Sequence, residues 1–505
     1  MGIVARQSIF SAFSLLIGFT IGAINQMVLV PYVFEEGWPR EMYGLLQLTI
    51  TLGIVFSQFL NFGSGPIAVR ILPRFRSEGR EKDLNFYLWV FPLVGMLILG
   101  VFFIAAGDWF IRILTDEVLM DASYLLLIIF LNSLFNTLFR SLNGYAVASF
   151  RNSLGSFFNE VYIRLVQIAG VVLFAMGKID FHGLFMFYSI SFASQFLFMF
   201  LLMRGNNLLA IKYPVNKEEF KELTGFGFYS VLDQGAGILV NRIDVLMIGA
   251  LVGLSEVVYY QMAFFMITVI TIPSRALSNV SSAVTSESMH KEDWTGIRKL
   301  FFSNGLIQTL VGGWIFILIW CNLDLVLMML PPEFSVIRWP LFFLGVSKMF
   351  DLFTSINGLI IGFSPFFRYN FYFNILLLVI TIIANLLLIP YYGITGAAIA
   401  TAFSLLLYNL MKSIFLYRKY GIQPITIPGL LLLAALFISA IIGLAIPDFI
   451  SVDMNLGLFQ RTIPVLINIG IRTIIISGSL YAFVYLFGVN RSIREIVPEK
   501  FQRFL

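Results

Sequence analysis

The chain has 505 residues, of which 59% are hydrophobic and only 12% are charged. Because an ordinary globular domain has about 25% charged residues, this composition excludes a soluble fold. The formal net charge of +5 does not indicate nucleic-acid binding, since the positive residues are spaced between long apolar blocks and mark membrane topology instead.

Fourteen apolar blocks run along the chain, each long enough for a helix across the hydrocarbon core, which needs about 20 residues. Barrel strands are shorter and alternate apolar with polar residues, so the pattern predicts an all-α polytopic membrane protein. The predicted helices 1 to 14 are Ser8–Val33, Tyr43–Val69, Phe86–Gly107, Ala122–Leu142, Ser153–Met176, Phe181–Met203, Thr224–Leu251, Ser255–Ser278, Phe301–Trp320, Val336–Gly362, Asn370–Pro390, Ile394–Tyr417, Ile427–Ile446 and Pro464–Phe487.

The Lys and Arg residues between these blocks and near their ends are distributed unequally. About 24 lie near the termini or at and after the ends of even-numbered helices, against 5 at the other helix ends. The positive-inside rule therefore predicts a multi-pass membrane protein with both termini in the cytoplasm. The first block exceeds the apolar core of a secretory signal, so we expect an uncleaved first helix. The single Cys321 rules out an intramolecular disulfide.

An internal repeat organises the first twelve helices. A shift of 216 positions aligns Asn25 in helix 1 with Asn241 in helix 7, and Gly177 after helix 5 with Gly393 after helix 11. The loops before helices 4 and 10 align under the same shift. The sequence therefore predicts two pseudo-symmetric six-helix lobes that enter the membrane in the same orientation, with two C-terminal helices outside the repeat.

The repeat also predicts the domain limits and the place of a binding site. We expect a first lobe over residues 1–204, a cytoplasmic linker over 205–222, a second lobe over 223–420, and a helix pair with a cytoplasmic tail over 421–505. Transporters built from such repeats bind their substrate between the two copies.

Charged residues inside predicted helices 5 and 10 are candidates for that site. A charge at the bilayer centre costs about 2.5 to 3.5 kcal/mol, so it indicates a functional position. Glu160 and Arg164 share one face of helix 5, and Lys348 and Asp351 lie one turn apart in helix 10. Each pair either neutralises itself as a structural ion pair or lines a wet cavity with its cation open to a substrate anion.

Helix 7 is the most polar predicted span. Asp233 and Asp244 are eleven residues apart, so in a straight helix they share a face with Asn241 and are separated by about 16 Å. Arg242 points to nearly the opposite side, and we therefore expect Arg242 and Asp244 to find partners on other helices.

Helix 1 carries uncharged residues, Asn25 and Gln26, at the places equivalent to the polar centre of helix 7. They either line the same cavity or form hydrogen bonds between packed helices. His182 and His290 fall in separate loops, and no Walker motif is present, so we expect no metal site, no cofactor and no catalytic residue.

Four segments carry a family resemblance. They are NRIDVLMIG at Asn241–Gly249, EVVYY at Glu256–Tyr260, GITGAAIAT at Gly393–Thr401 and EMYG at Glu41–Gly44. With the helix count and the repeat, they make the chain resemble the multidrug/oligosaccharidyl-lipid/polysaccharide exporter (MOP) superfamily, in particular its polysaccharide-transporter branch of O-unit (O-antigen) flippases. The resemblance implies two lobes around a central cavity with MATE-like alternating access.

In relatives that flip lipid-linked sugars, the resemblance implies a cationic cavity for the pyrophosphate and glycan, with the polyprenyl tail left in the bilayer. Arg164, Arg242 and Lys348 fit that picture, whereas Asp233 and Asp244 fit a cation-coupled multidrug exporter of the same fold. A membrane glycosyltransferase or polymerase is a weaker alternative, because the outer loops are short.

The predicted function is a flippase, not an enzyme, which carries a polyprenyl-pyrophosphate-linked oligosaccharide across the bacterial plasma membrane for surface polysaccharide synthesis. Its expected partners are this substrate and membrane lipids, without nucleic acid. Na⁺ or H⁺ is a candidate coupling ion, and a polysaccharide polymerase or ligase is a candidate protein partner.

Overall fold

A computed structural model of the protein describes residues 3–114, 119–204, 208, 210, 212, 216–452 and 458–490. Over these residues the chain is helical with connecting turns, and none of them forms a strand. Eleven helices in this part are long and apolar enough to cross a membrane. They are Phe13–Val33, Trp38–Leu60, Glu81–Ile113, Ala122–Ala148, Asn152–Ala175, Phe181–Met203, Leu254–Thr271, Trp294–Cys321, Arg368–Tyr420, Ile427–Ala445 and Gln460–Leu486.

Two bent helix pairs and one interrupted helix complete the predicted set. Lys217–Val240 with Ile243–Leu251, and Pro332–Thr354 with Asn357–Phe363, each pass the same test as one bent span. Arg368–Tyr420 has 53 residues and therefore measures about 80 Å, too long for one crossing. It is interrupted at Gly393, whose φ of 56° and ψ of −136° are not helical. Counted as helices 11 and 12, its two parts bring the described spans to the fourteen predicted.

Structural landmarks repeat at the spacing found in the sequence. The helices that begin at Trp38, Ala122 and Asn152 have counterparts that begin 216 positions later, at Leu254, Arg338 and Arg368. Gly177 and Gly393, which end helices 5 and 11, both have positive φ, at 67° and 56°. Glycine adopts this conformation without a steric cost, so it ends both helices in the same way. The predicted duplication is thus present in the fold.

The polar centres of helices 1 and 7 are irregular at equivalent positions. Helix 1 contains a π-helical turn over Ile24–Leu29. At the corresponding place helix 7 breaks between Val240 and Ile243, with a bend of 49°. The prediction of one straight face joining Asp233 to Asp244 is therefore wrong, because the bend turns the two segments of helix 7 in different directions.

Two compact units result when residues are grouped by their contacts, Met1–Val258 and Tyr259–Leu505. The division falls inside helix 8, so helix 7 packs within the first unit although the repeat assigns it to the second six-helix copy. The domain limits predicted from the sequence, at residues 204, 222 and 420, were drawn from the repeat and not from contacts between residues. They therefore stay predictions.

Close helix packing in the first unit depends on small residues, because lipid is as apolar as the helix faces and gives no hydrophobic drive for association. A short helix, Ser64–Ser77, crosses helix 4 where Gly65 and Gly144 meet. A Cβ at Gly144 would lie 2.3 Å from the Cα of Gly65. The two backbones therefore approach each other at a distance that only glycine allows.

This contact predicts the effect of a one-methyl substitution. Gly144→Ala should destabilise the protein by about 1 to 3 kcal/mol, because the methyl group meets backbone and not a movable side chain. Gly225→Ala is the matched control, since no atom lies within 4 Å of a Cβ there. Thermal unfolding of both variants in detergent checks the prediction, and equal midpoints would contradict it.

Candidate functional site

A cavity of about 500 Å³ opens in the first unit, between the ends of helices 2 and 4, the helix Ser64–Ser77 and the first part of helix 7. It lies toward the end of the even-numbered helices where Lys and Arg accumulate, which we call the basic side. Arg70 and Arg140 line it, together with the amides of Gln58, Asn143 and Gln234. The lining thus combines two guanidinium groups with four carboxamides, the fourth being that of Asn61.

Arg140 is the central charged residue of this cavity. It lies eight residues before the end of helix 4, hence about 12 Å inside that end. Its Nη1 donates a hydrogen bond to Oε1 of Gln58 at 2.7 Å, and Nε2 of Gln58 lies 3.5 Å from Oε1 of Gln234. Residues on helices 2, 4 and 7 therefore hold the guanidinium in one orientation.

Two buried polar atoms at the cavity wall have no hydrogen-bond partner among the described residues. They are Nε of Arg140, a donor, and Oδ1 of Asn143, an acceptor. Arg242, at the break in helix 7, is close enough to Arg140 for the two positive charges to repel. A buried donor without a partner beside a second cation favours an anion.

Arg164 forms the ion pair that its spacing predicts. Its Nη2 lies 3.1 Å from Oε2 of Glu160, and its Nη1 donates a short hydrogen bond to the carbonyl oxygen of Gly18 in helix 1. The side chains of Arg164 and Glu160 are 26% and 18% exposed. The structure therefore brings this predicted pair together and joins helix 5 to helix 1 through it.

Lys348 and Asp351 also form a pair, in the second unit. Nζ of Lys348 lies 3.7 Å from Oδ2 of Asp351, and Nδ2 of Asn409 in helix 12 donates to Oδ1 of Asp351 at 2.6 Å. The Oδ1 of Asn409 in turn accepts hydrogen bonds from Thr354 and Asn357. Asp351 is thus the centre of a polar network between helices 10 and 12.

Asn25 and Gln26 lie in the π-helical turn of helix 1, within hydrogen-bonding reach of the Tyr43 hydroxyl. Tyr43 also accepts a hydrogen bond from Nε2 of Gln47 at 2.8 Å. Asn25 is 8% exposed, and its Oδ1 has no hydrogen-bond partner in the part of the chain that the structure describes. Both alternatives from the sequence, a cavity position or hydrogen bonds between helices, stay open for Asn25.

The described polar residues of helix 7 differ in exposure. Asn241 is exposed and donates to the carbonyl oxygen of Gly237 at 2.7 Å, whereas Asp244 is only 3% exposed. Arg242 is partly buried at the break. The side chain of Asp233 lies outside the described part of the chain.

Comparison with known proteins gives matches only among solved structures, since no family model and no curated protein matches the chain. A lipid II flippase, MurJ, in an inward closed conformation superposes with a TM-score of 0.65 at 15% identity, over 95% of this chain and 100% of that chain. A MOP superfamily transporter from Pyrococcus furiosus gives 0.59 at 14% identity, over 83% and 96%. An outward-facing MATE family multidrug transporter gives 0.55 at 13%, over the same shares.

The chain has the MOP superfamily fold. The match to MurJ extends over nearly the whole length of both chains. The resemblance predicted from the sequence is thus confirmed as a likeness of fold. The sequence identities of 13 to 15% are too low to indicate the substrate. The MOP neighbours described above are named as a flippase and as transporters.

Arg140 was not among the candidate site residues predicted from the sequence. Arg140 lies two residues before Leu142, where the predicted helix 4 ended, so it was counted among the positive charges that mark topology at that helix end, whereas the helix continues to Ala148. One signal was present in the sequence, since Gln58, Arg140 and Gln234 each lie within a few turns of the basic end of a helix. Only the packing of helices 2, 4 and 7 brings these three residues together.

Proposed function

We propose that the protein is a flippase, not an enzyme, that moves a polyprenyl-pyrophosphate-linked oligosaccharide across the bacterial plasma membrane for surface polysaccharide synthesis. The observation that carries this proposal is the cavity around Arg140, where a fixed guanidinium retains a buried donor that has no partner in the part of the chain that the structure describes. The MOP fold supports the transport part of the proposal.

The chemistry of the cavity suits a sugar joined to a pyrophosphate. Arginine binds phosphate oxygens through charge-assisted and often bidentate hydrogen bonds. Gln58, Asn143 and Gln234 offer carboxamide donors and acceptors that match sugar hydroxyls. A volume of about 500 Å³ lies in the range of small-ligand sites, so the cavity accommodates the pyrophosphate and the first sugars rather than a whole glycan.

The proposed orientation places both termini and the basic side in the cytoplasm, by the positive-inside rule. The cavity then faces the compartment from which the flippase takes its substrate. Alternating access between the two repeats would carry the sugar outward while the lipid tail stays in the bilayer. In this proposal Arg242 adds a second positive charge near Arg140. The pairs Glu160–Arg164 and Lys348–Asp351 are secondary candidates for contact with the substrate.

A cation-coupled multidrug exporter is the alternative with the same fold. Such a protein needs an acidic group that can accept Na⁺ or H⁺ during the cycle. Asp351 already has an ammonium group at 3.7 Å and an amide donor at 2.6 Å, which argues against an ion site there. Asp351 therefore gives the exporter no support, whereas the cavity around Arg140 supports the flippase.

Reconstituted protein tests the proposed function. Proteoliposomes would receive a fluorescent polyprenyl-pyrophosphate oligosaccharide, and an impermeant quencher would report how much of it remains in the outer leaflet. We expect translocation above that of empty liposomes, inhibition by inorganic pyrophosphate and no change in the mass of the lipid. A chemically altered sugar would indicate an enzyme, and drug uptake driven by an ion gradient without flipping would indicate an exporter.

A further inference from the structure

Arg70 belongs to the cavity and to an ion pair at the same time. It lines the cavity from the helix Ser64–Ser77, and its Nη2 lies 3.2 Å from Oε1 of Glu222 in helix 7. Its Cζ also lies 4.4 Å from the ring centroid of Phe226, another lining residue. Arg70 therefore connects the wall of the cavity to the first part of helix 7.

A second and more buried set of ion pairs lies next to this one. Glu219, one turn before Glu222, is 6% exposed and pairs with Arg80 at 2.7 Å and with Arg74 at 3.4 Å. Hydrogen bonds from Arg74 and Arg80 also hold the pKa of the Glu78 carboxyl below its usual range, so both arginines have a second acidic partner.

The two sets differ in how readily they exchange partners. The side chains of Arg70 and Glu222 are 47% and 59% exposed, whereas Glu219 has a side-chain exposure of only 5%. An exposed ion pair is worth a factor of about five or less in an equilibrium constant. A pyrophosphate group carries more charge than one carboxylate and offers a guanidinium two oxygens at once, so it should outcompete Glu222.

We propose that Glu222 is a built-in counter-anion for Arg70, and that the anionic group of a substrate entering the cavity displaces it and loosens helix 7 from the helix Ser64–Ser77. This inference rests on the proposed function, since it takes the substrate to be a phosphate-bearing anion. The pairs of Glu219 persist during this exchange and act as the pivot. Binding of the anion and opening of the cavity wall are thereby coupled through one arginine.

A cysteine in the cavity wall reports the opening. The parent protein would be the full chain with Cys321→Ser and Ser230→Cys, because Ser230 lines the cavity and Cys321 is buried. The rate of reaction with an uncharged maleimide would be measured in nanodiscs, with and without inorganic pyrophosphate. We expect pyrophosphate to raise the rate about two- to fivefold.

Substitution of Glu222 should produce the same opening without the anion. Glu222→Gln should raise the rate about two- to fivefold, and pyrophosphate should then add little. The double variant Arg70→Glu with Glu222→Arg restores an ion pair of opposite polarity, so its rate of reaction with maleimide should be as slow as that of the parent. Glu287→Gln is the matched control, because it removes an exposed carboxylate paired with Lys291 in the second unit, and its rate should equal that of the parent.

Two results would overturn this proposal: a parent rate that pyrophosphate leaves unchanged, or a folded Glu222→Gln variant that reacts as slowly as the parent. Thermal unfolding of each variant confirms that it is folded, and the pyrophosphate arm needs no substitution at the ion pair. The probe is pyrophosphate alone, so this test does not depend on the lipid-linked sugar. If pyrophosphate raises the maleimide rate but the protein fails to flip lipid-linked sugar, the proposed function is rejected and the displacement of Glu222 from Arg70 is retained.

Discussion

Arg140→Gln should slow translocation of a lipid-linked sugar about 10- to 100-fold while the protein still inserts into the membrane. A hydrogen bond to a charged group contributes about 1.5 to 3 kcal/mol, and 1.4 kcal/mol corresponds to a factor of ten. Glutamine keeps a polar group near Gln58 and removes both the charge and the forked donor geometry. Quenching of the fluorescent substrate in proteoliposomes measures the effect.

Two further substitutions separate the role of Arg140 from that of positive charge in general. Arg140→Lys keeps the charge and loses the fork, so its rate should fall between those of the parent and Arg140→Gln. Arg151→Gln removes an exposed arginine just after the same helix and should leave the rate unchanged. Equal rates for the parent and Arg140→Gln would remove the main support for the flippase proposal.

Asp351→Ala should destabilise the second unit by about 2 to 3 kcal/mol. The Lys348 ammonium, whose side chain is 13% exposed, would lose its partner at 3.7 Å, and Asn409 would lose the acceptor of its 2.6 Å hydrogen bond. Breaking a buried pair costs about 3 to 5 kcal/mol, and the 33% exposure of Asp351 lowers that figure. Thermal unfolding in detergent measures the loss.

The double variant Lys348→Met with Asp351→Leu should recover most of that stability, because it leaves no unpaired charge. The same variant also tests the predicted site role of Lys348. Parental translocation in the double variant would mean that the pair is structural. Lost translocation in a stably folded double variant would mean that Lys348 acts on the substrate. A double variant less stable than Asp351→Ala would contradict the charge-pairing argument.

Much of the fold followed from local properties of the sequence. The number of spans, the duplication and the two helix-ending glycines, Gly177 and Gly393, were predicted and are present in the structure. Apolar length, charge placement and a constant shift of 216 positions can all be read along the chain without knowing which helices touch. The bend at Asn241 was not predicted. The spacing of eleven residues from Asp233 to Asp244 is the same in the sequence whether the helix is regular or broken.

The candidate site was predicted only in part. The ion pairs of Arg164 with Glu160 and of Lys348 with Asp351 were one of two predicted alternatives, since partners three or four residues apart meet on any helix. Arg140, with its hydrogen bond to Gln58, was not expected, because those two residues are 82 positions apart. The pairing of Arg70 with Glu222, across 152 positions, was missed for the same reason.

The sequence by itself determined that this chain crosses a membrane many times as two copies of a six-helix unit, because the thickness of the bilayer and the cost of burying charge act on each segment separately. Tertiary structure alone decided which polar groups share a cavity. Helices that are apolar on nearly every face carry little periodic signal for their rotation. The rotation of each helix is fixed by close contacts such as that of Gly65 with Gly144, and these contacts bring Arg140, Gln58 and Gln234 to one place.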